Sequence, residues 1–405
     1  MDTVTHGIVG ALIGKAFFAD DPRKSAPSWR ERPTTADRVA IISATLGAIF
    51  PDIDVFAGPL AHNSLALITW HRNITHSLVV LPIWAVLLAL LTRWLAGLVE
   101  WPTPTVRELV GIYAAGIASH VFLDVITSFG TMVWSPLNYT RLAWDWLFIV
   151  DLALTSLALV PQLGAWAFRK QEGVYTRAFA LWAILSGVAF LVGPLVRPIG
   201  VPFTTTASLM ATVAFAAFFI LPLRRGTGLR NGRTKWCRIG VALVTGYIIF
   251  AAGMHHTAVQ RVTEFADEQG LEHVSIAAVP LPPSVARWAG LIATPDGVFR
   301  VEFNQFGNEP VKLAYFNQPQ PNRYLAAAEQ LPHMQKFLWF ARFPVARFFE
   351  RDGQTIVQIT DLRFYGNRPR PVQQGGDAAF EAGFTYEVVF DQNGRVVNDH
   401  FLPMN

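Results

Sequence analysis

Histidine and aspartate side chains recur at short spacings within the first 151 residues of the chain. Each lies inside or beside a strongly apolar stretch, where an ionisable group is costly to bury and points to a functional site. Imidazole and carboxylate groups are the ligands that Zn, Mn and Fe take from proteins. We therefore predict a metal centre whose candidate ligands are His6, Asp52, Asp54, His71, His76, His120, Asp124 and Asp151.

His120 and Asp124 are four residues apart in a segment predicted to be helical. That spacing places both side chains on one helix face, about one turn apart. The pair can ligate one ion together or bridge two ions. The alternative interpretation is a structural hydrogen bond between a histidine and an aspartate inside a helix bundle.

Asp52 and Asp54 follow Pro51, which ends or kinks the preceding apolar segment. Two carboxylates this close repel each other unless a cation lies between them. The alternative is a solvated turn at the membrane surface. For His71 and His76, which precede a long apolar segment, the alternative is a polar cap at the membrane interface.

These residue types favour hydrolysis by a metal-activated water. A metal-bound water has a pKa lowered towards neutrality, and a nearby carboxylate can act as its general base. We assign that catalytic role to Asp54 and Asp124, and we expect Arg72 to hold an anionic group such as a phosphate. The alternative for Arg72 is an arginine that only extends to the interface. The single cysteine, Cys237, excludes a disulfide framework and a thiolate metal site.

The composition is that of a multi-pass membrane protein, since 52% of the 405 residues are hydrophobic and 15% are charged. About 20 apolar residues cross a bilayer as a helix. Two weaker apolar segments, 3–18 and 39–56, are predicted to be short spans or re-entrant helices. Six clear spans are predicted at 78–96, 107–127, 145–168, 178–200, 204–223 and 239–256.

Lysine and arginine are distributed unequally between the loops on the two sides of this bundle. The predicted outer loops hold only Arg72, Arg141 and Arg197, whereas the predicted inner loops hold many basic residues. This bias places the histidines and aspartates near the outer half of the bilayer. It also explains the net charge of +4 without a nucleic-acid partner.

The composition becomes more polar after the pair His255 and His256. We predict a membrane domain over 1–256 and a soluble α+β domain over 257–405, on the outer side. A helix is expected over 323–340, and a hairpin turn over 391–394. Strands are predicted at 298–303, 311–316, 355–364 and 384–390. The predicted fold is thus mainly α, a membrane helix bundle followed by an α+β domain.

The motifs resemble those of the YdjM-like inner-membrane proteins, which are described as metal-dependent hydrolases. The resemblance rests on D-x-x-T-H at 2–6, P-D-x-D at 51–54, H-R-x-x-T-H-S at 71–77, S-H-x-x-x-D at 119–124, T-x-x-G at 127–130 with Pro136, and Asp151. It covers about the first 170 residues in order. It implies a bacterial inner-membrane location and a metal site in this part of the chain.

Together these observations predict a membrane-bound metal-dependent hydrolase that acts on a lipid or cell-envelope ester, with a phosphoester favoured. The expected cofactor is one or two divalent ions, with Zn favoured over Mn and Fe. The expected partners are the lipid bilayer and a lipid or envelope substrate. The alternative is a non-enzymatic membrane protein, either a transporter or a regulatory scaffold, whose polar cluster is structural.

Overall fold

The computed structural model describes residues 1–20, 34–56, 65–196, 204–224, 232–307, 310–365 and 384–402. The predicted loop residue Arg197 lies outside these ranges. Two compact units are formed. The first comprises Met1–Ile53, Arg72–Trp144 and Ile149–Phe250, and the second comprises Asp54–His71, Asp145–Phe148 and Ala251–Asn405.

The first unit begins with two helices that have well-defined N-terminal caps. Asp2 caps α1 by accepting a hydrogen bond from the backbone of Thr5. Thr34 and Asp37 form a reciprocal capping box at the start of α2. Helix α1 spans Thr3–Ile13 and continues as a π-helix over Gly14–Phe18, while α2 spans Thr35–Ile49 and continues as a 3₁₀ helix over Phe50–Phe56.

The remaining helices of the membrane region follow in chain order. They are α3 Ala66–Thr69, α4 Leu81–Leu98, α5 Val106–Val125, α6 Leu152–Ala167, α7 Val174–Val196, α8 Thr205–Arg224 and α9 Arg233–Glu268. A further short 3₁₀ helix covers Ile74–His76. Helix α9 belongs to the first unit up to Phe250 and to the second unit beyond it.

Six helices of the described chain are long and apolar enough to cross a membrane, which confirms a predominantly helical membrane protein. They are Thr35–Phe56, Leu81–Leu98, Val106–Val125, Val174–Leu195, Thr205–Leu223 and Arg233–Glu268. Thr3–Phe18 and Leu152–Ala167 are shorter apolar helices.

The helices that are long enough to cross a membrane differ from the predicted spans at two segments. The weak segment 39–56 is part of a 22-residue apolar helix, because the cap at Thr34 starts the helix early and the 3₁₀ turn extends it. The predicted span 145–168 is shortened to 16 residues, because helix α6 begins only after its cap at Asp151. Residues before Asp151 adopt a non-helical path in which Asp145 has a left-handed φ of 57°.

Helices α1, α2 and α5 approach one another closely through small residues. A Cβ atom at Gly116 of α5 would lie 2.7 Å from the backbone oxygen of Ala44 on α2. The space beside Gly47 is filled by Tyr113, and that beside Gly10 by Ala48 and Ala44. This close packing fixes α2 against α5, the two helices that lead to the candidate site.

The second unit contains two antiparallel four-stranded sheets, which confirms a C-terminal α+β domain. The first sheet has the order β1-β2-β3-β4 and the second has the order β5-β6-β7-β8. Two helices, α10 Arg323–Glu329 and α11 Pro332–Phe340, connect the sheets. The strands are β1 Ser275–Leu281, β2 Arg287–Thr294, β3 Gly297–Asn304, β4 Lys312–Asn317, β5 Pro344–Arg351, β6 Gln354–Asp361, β7 Thr385–Phe390 and β8 Val396–Phe401.

Apolar side chains from both sheets form one buried cluster that includes Val279, Leu291 and Val345. The C-terminal half of α9 packs Val262 against Trp288 in a second cluster. All four predicted strands are present, and the predicted helix over 323–340 is divided into α10 and α11. The predicted turn over 391–394 joins β7 to β8.

Candidate metal centre

Four of the predicted ligands converge in the first unit. Asp52 lies in the 3₁₀ turn that follows α2, and His76 ends the 3₁₀ helix Ile74–His76. His120 and Asp124 lie one turn apart on α5. His76, His120 and Asp124 are fully buried, whereas the side chain of Asp52 is 11% exposed. The most exposed of the four side chains is therefore a carboxylate.

One ligand-type atom from each residue faces the same point. The Nε2 atoms of His76 and His120 are 3.0 Å apart. Asp124 Oδ2 lies 3.2 Å from the His76 nitrogen and 3.4 Å from the His120 nitrogen. Asp52 Oδ1 lies 3.7 Å from the His76 nitrogen and 3.4 Å from the His120 nitrogen. The two carboxylate oxygens are within 4.8 Å of each other.

These separations fit a tetrahedral metal ion. An ion about 2.0–2.1 Å from four tetrahedral nitrogen and oxygen ligands holds the ligand atoms about 3.3 Å apart. The five separations that involve a histidine nitrogen, of the six in all, run from 3.0 to 3.7 Å and so bracket that value. The buried cluster of Asp52, His76, His120 and Asp124 is therefore able to hold a metal ion.

The outer ring nitrogens have the partners that metal-binding histidines require. His120 Nδ1 lies 2.7 Å from the backbone oxygen of Ala48. Because a carbonyl can only accept, Nδ1 carries the proton, and the neutral ring presents a lone pair at Nε2. His76 Nδ1 lies 3.0 Å from the hydroxyl oxygen of Thr75, which can accept a hydrogen bond in the same way. Two imidazole lone pairs 3.0 Å apart call for a cation between them.

The carboxylate of Asp124 shows the same need for a cation. Its buried Oδ2 atom faces the Nε2 atoms of His76 and His120, and with both rings protonated at Nδ1 it has no hydrogen-bond donor within the described residues. A buried carboxylate oxygen without a partner is strongly disfavoured. Since this oxygen faces the two Nε2 atoms, a positive ion at the centre of the cluster would satisfy all three groups.

The other oxygen of Asp124 is bound by protein donors. Arg72 Nη2 lies 2.9 Å from Oδ1, and His6 Nε2 lies 3.2 Å from it. The Met1 amino group also contacts this oxygen. The His6 ring stacks on His120 with the ring centroids 3.6 Å apart. The structure thus places His6 beside the cluster, in contact with two of its members.

Arg72 is held in place by several contacts. It is 1% exposed and has a left-handed backbone with φ of 62°. Its Nη1 donates to the hydroxyl of Thr127 at 2.9 Å and lies 3.3 Å from the backbone oxygen of Asp124. The guanidinium also packs 4.9 Å from the ring centroid of Phe129. Its charge is therefore directed at Asp124, and the anion-holding role expected from the sequence stays a prediction.

The three remaining predicted ligands, Asp54, His71 and Asp151, have side-chain partners of their own. In the second unit, His71 Nδ1 and Asp54 Oδ1 form a pair at 2.8 Å. In the first unit, Asp151 caps α6 by accepting from the backbone of Leu154 at 2.7 Å, and its other oxygen accepts from Tyr247 at 3.0 Å. The ligand roles of these three residues stay predictions.

Thr3 contributes a contact that the sequence did not single out. Its hydroxyl donates to Asp52 Oδ2 at 2.5 Å, which leaves Oδ1 directed at the cluster. Thr3 follows the cap residue Asp2, so no motif spacing distinguished it from any other first-turn threonine. The contact of the Ala48 backbone oxygen with His120 could not be predicted from the sequence either, because it depends on helix packing and not on the Ala48 side chain.

Comparison with known proteins agrees with the motifs. Residues 1–195 match the family model described as YdjM inner membrane protein. This match confirms the resemblance, and it covers every residue of the cluster. No curated protein and no solved structure matches the chain.

Proposed function

We propose that this membrane protein, whose residues 1–195 match an inner-membrane family, is a metal-dependent hydrolase. The substrate we favour is a lipid or cell-envelope ester, in particular a phosphoester. The resemblance implies this activity, and we propose it for this chain on the basis of four of its residues, Asp52, His76, His120 and Asp124.

The observation that carries the proposal is the spacing of four ligand-type atoms in a buried site. Two imidazole nitrogens and two carboxylate oxygens surround one point, and each nitrogen lies 3.0 to 3.7 Å from the other three atoms. A divalent ion held there would supply Lewis acidity and a water of lowered pKa, which is the chemistry that ester hydrolysis needs. Zn suits this donor set, with Mn and Fe as alternatives.

The residues around the cluster support its ligands. Ala48 and Thr75 fix the ring orientations of the two histidines, and Thr3 orients the Asp52 carboxylate. Such outer contacts hold ligand atoms in position before an ion binds. Asp52 is the most exposed ligand, so we propose that substrate approaches the site past this residue.

The pair of Asp54 and His71 is the second element of the proposed chemistry. A carboxylate hydrogen-bonded to an imidazole can orient the ring and stabilise its protonated form, as general acid–base catalysis requires. Asp54 is two residues from Asp52 in the chain, and His71 precedes Arg72. We propose that this pair transfers protons, which is the catalytic role that the sequence predicts for Asp54.

The apolar surroundings favour a substrate that is itself part of the membrane. Asp52, His120 and Asp124 all lie on helices long and apolar enough to cross a bilayer. Ile53, which follows Asp52, is 56% exposed. A lipid ester can reach such a site without leaving the bilayer, whereas a soluble substrate would have to enter apolar surroundings.

Hydrolysis is tested with the purified full chain in nanodiscs of defined phospholipid, with bis(p-nitrophenyl) phosphate and p-nitrophenyl butyrate as soluble probes. We expect turnover that a chelator abolishes and that added Zn²⁺ or Mn²⁺ restores. His120→Ala should lose both metal and turnover, whereas His71→Ala should keep the metal and lose turnover.

A folded, metal-loaded protein that cleaves none of these esters would refute the proposal of hydrolysis and favour the non-enzymatic alternative. Metal loss in His71→Ala would instead identify His71 as a ligand. Cleavage of the phosphodiester but not the carboxylic ester would support the favoured phosphoester class.

A further inference from the structure

The two oxygens of each cluster carboxylate have different partners. Asp124 Oδ2 faces the cluster, whereas Oδ1 accepts from Arg72 Nη2 at 2.9 Å. Asp52 Oδ1 faces the cluster, whereas Oδ2 accepts from Thr3 at 2.5 Å. Each carboxylate therefore directs one oxygen towards the cluster and the other towards a protein donor.

This division of contacts bears on the number of metal ions. In two-metal sites the ions lie about 3.5–4 Å apart, and a carboxylate that bridges them gives one oxygen to each. An ion bridged to the first through Asp124 would need Oδ1, but a guanidinium already lies on that side. Asp52 Oδ2 is likewise bound by a hydroxyl group.

The position of Arg72 is specified by the fold. Its backbone is left-handed, its side chain is 1% exposed, and Thr127 and Phe129 contact the guanidinium. Arginine keeps its charge in protein interiors, so the group is a permanent cation beside Asp124. A divalent ion at the same oxygen would meet strong repulsion from this charge.

We infer that the cluster holds a single divalent ion, because Arg72 and the Met1 amino group already hold the other oxygen of Asp124. This inference rests on the proposed metal site. Arg72 is thus a positioning residue, because it fixes Oδ1 and thereby directs Oδ2 towards the cluster. Loss of such an outer contact typically weakens metal binding about ten- to hundred-fold.

The ion number is measured on the full chain in detergent, loaded with Mn²⁺ or Zn²⁺ and freed of excess metal. Elemental analysis and native mass spectrometry should give one ion per chain. The Mn²⁺ protein should show the electron paramagnetic resonance spectrum of an isolated ion. Two ions per chain, or a spectrum of coupled ions, would overturn the inference while leaving the proposed hydrolase intact. No bound ion would refute the proposed function instead.

The role of Arg72 is tested by chelator competition. Arg72→Met should weaken Mn²⁺ binding about ten- to hundred-fold, and Arg72→Lys should restore part of the affinity. Arg141→Met is the matched control, because Arg141 also packs against Phe129, at 5.1 Å, but donates to the backbone of Gly130.

We expect unchanged Mn²⁺ affinity in the control. Equal or tighter binding in folded Arg72→Met would contradict the positioning role. If Arg72→Met fails to fold, the Arg72→Lys affinity and the wild-type ion number still decide the inference.

Discussion

Gly116 on α5 offers a test of how helix packing builds the metal site. Its missing side chain lets α2 approach so closely that an added Cβ would lie 2.7 Å from Ala44 O and 2.9 Å from Ala48 N. Both contacts are to backbone atoms, which cannot rotate away. The same stretch of α2 supplies the Ala48 oxygen that accepts from His120, and it leads to Asp52.

The size of the effect follows from the distances. Ordinary contact begins at 3.4 Å, so Gly116→Ala requires α2 to move by about 0.7 Å relative to α5. Overpacking of this kind costs about 1–3 kcal/mol of stability. A functional metal site tolerates about 0.2 Å in its ligand distances, so Asp52 would be displaced by more than the site can absorb. We expect metal affinity to fall by about ten-fold or more.

The assay is metal binding by chelator competition, together with thermal unfolding in detergent. Gly111→Ala is the matched control, because Gly111 lies on the same helix and a Cβ added there would meet no atom within 4 Å. The control should keep both affinity and melting temperature. The reasoning is refuted if Gly116→Ala folds and binds metal as tightly as Gly111→Ala.

Three further outcomes are expected. Thr3→Val removes the hydrogen bond to Asp52 and should weaken metal binding about five-fold, since such a bond contributes about 1 kcal/mol; unchanged affinity would contradict the orienting role of Thr3. Arg363→Met leaves Asp361 buried without its ion pair. It should destabilise the C-terminal domain by about 3–5 kcal/mol, measured by denaturant unfolding. Arg395 is exposed, so the control Arg395→Met should have little effect on stability. Fusions at the C-terminus should be active with an outer-side reporter and inactive with a cytoplasmic one, as the loop charges predict; the reverse result would invert the topology.

The sequence was sufficient to predict that two residues of the cluster lie together. His120 and Asp124 share a helix face by their spacing alone, and the helix is observed. Asp52 and His76 were predicted from residue type and apolar context, but their distance from α5 in the chain gave no measure of contact. Only the folded chain brings Asp52 Oδ1 within 3.7 Å of both histidine nitrogens, and His76 Nε2 within 3.0 Å of His120 Nε2.

The contacts of Arg72 and Asp151 depended on features that no local pattern reveals. Arg72 reaches Asp124 from a left-handed backbone, a conformation that is uncommon for a residue other than glycine. Asp151 is the N-cap of α6, and the predicted continuous span over 145–168 concealed that boundary. Caps inside apolar stretches are difficult to place because hydropathy averages over them.

In the C-terminal domain two of the strands that were not predicted, β1 and β2, lack simple alternation. Five consecutive residues of β2, Trp288 to Ile292, are buried because α9 covers one face and the core shared by the two sheets covers the other. Strand β1 likewise ends in five consecutive buried residues. A period-2 pattern appears only where one face is exposed, so β1 and β2 resembled general apolar sequence. Strands β6 and β7 are just as buried and were predicted from their β-rich composition instead.

The most direct test of the metal site is the metal content of the purified chain, measured by elemental analysis alongside the double variant His76→Ala with His120→Ala. The wild-type protein should carry stoichiometric metal, and the folded double variant should carry none. A folded wild-type chain that binds no divalent metal, or a double variant that retains it, would contradict the proposal that these four residues form a metal centre.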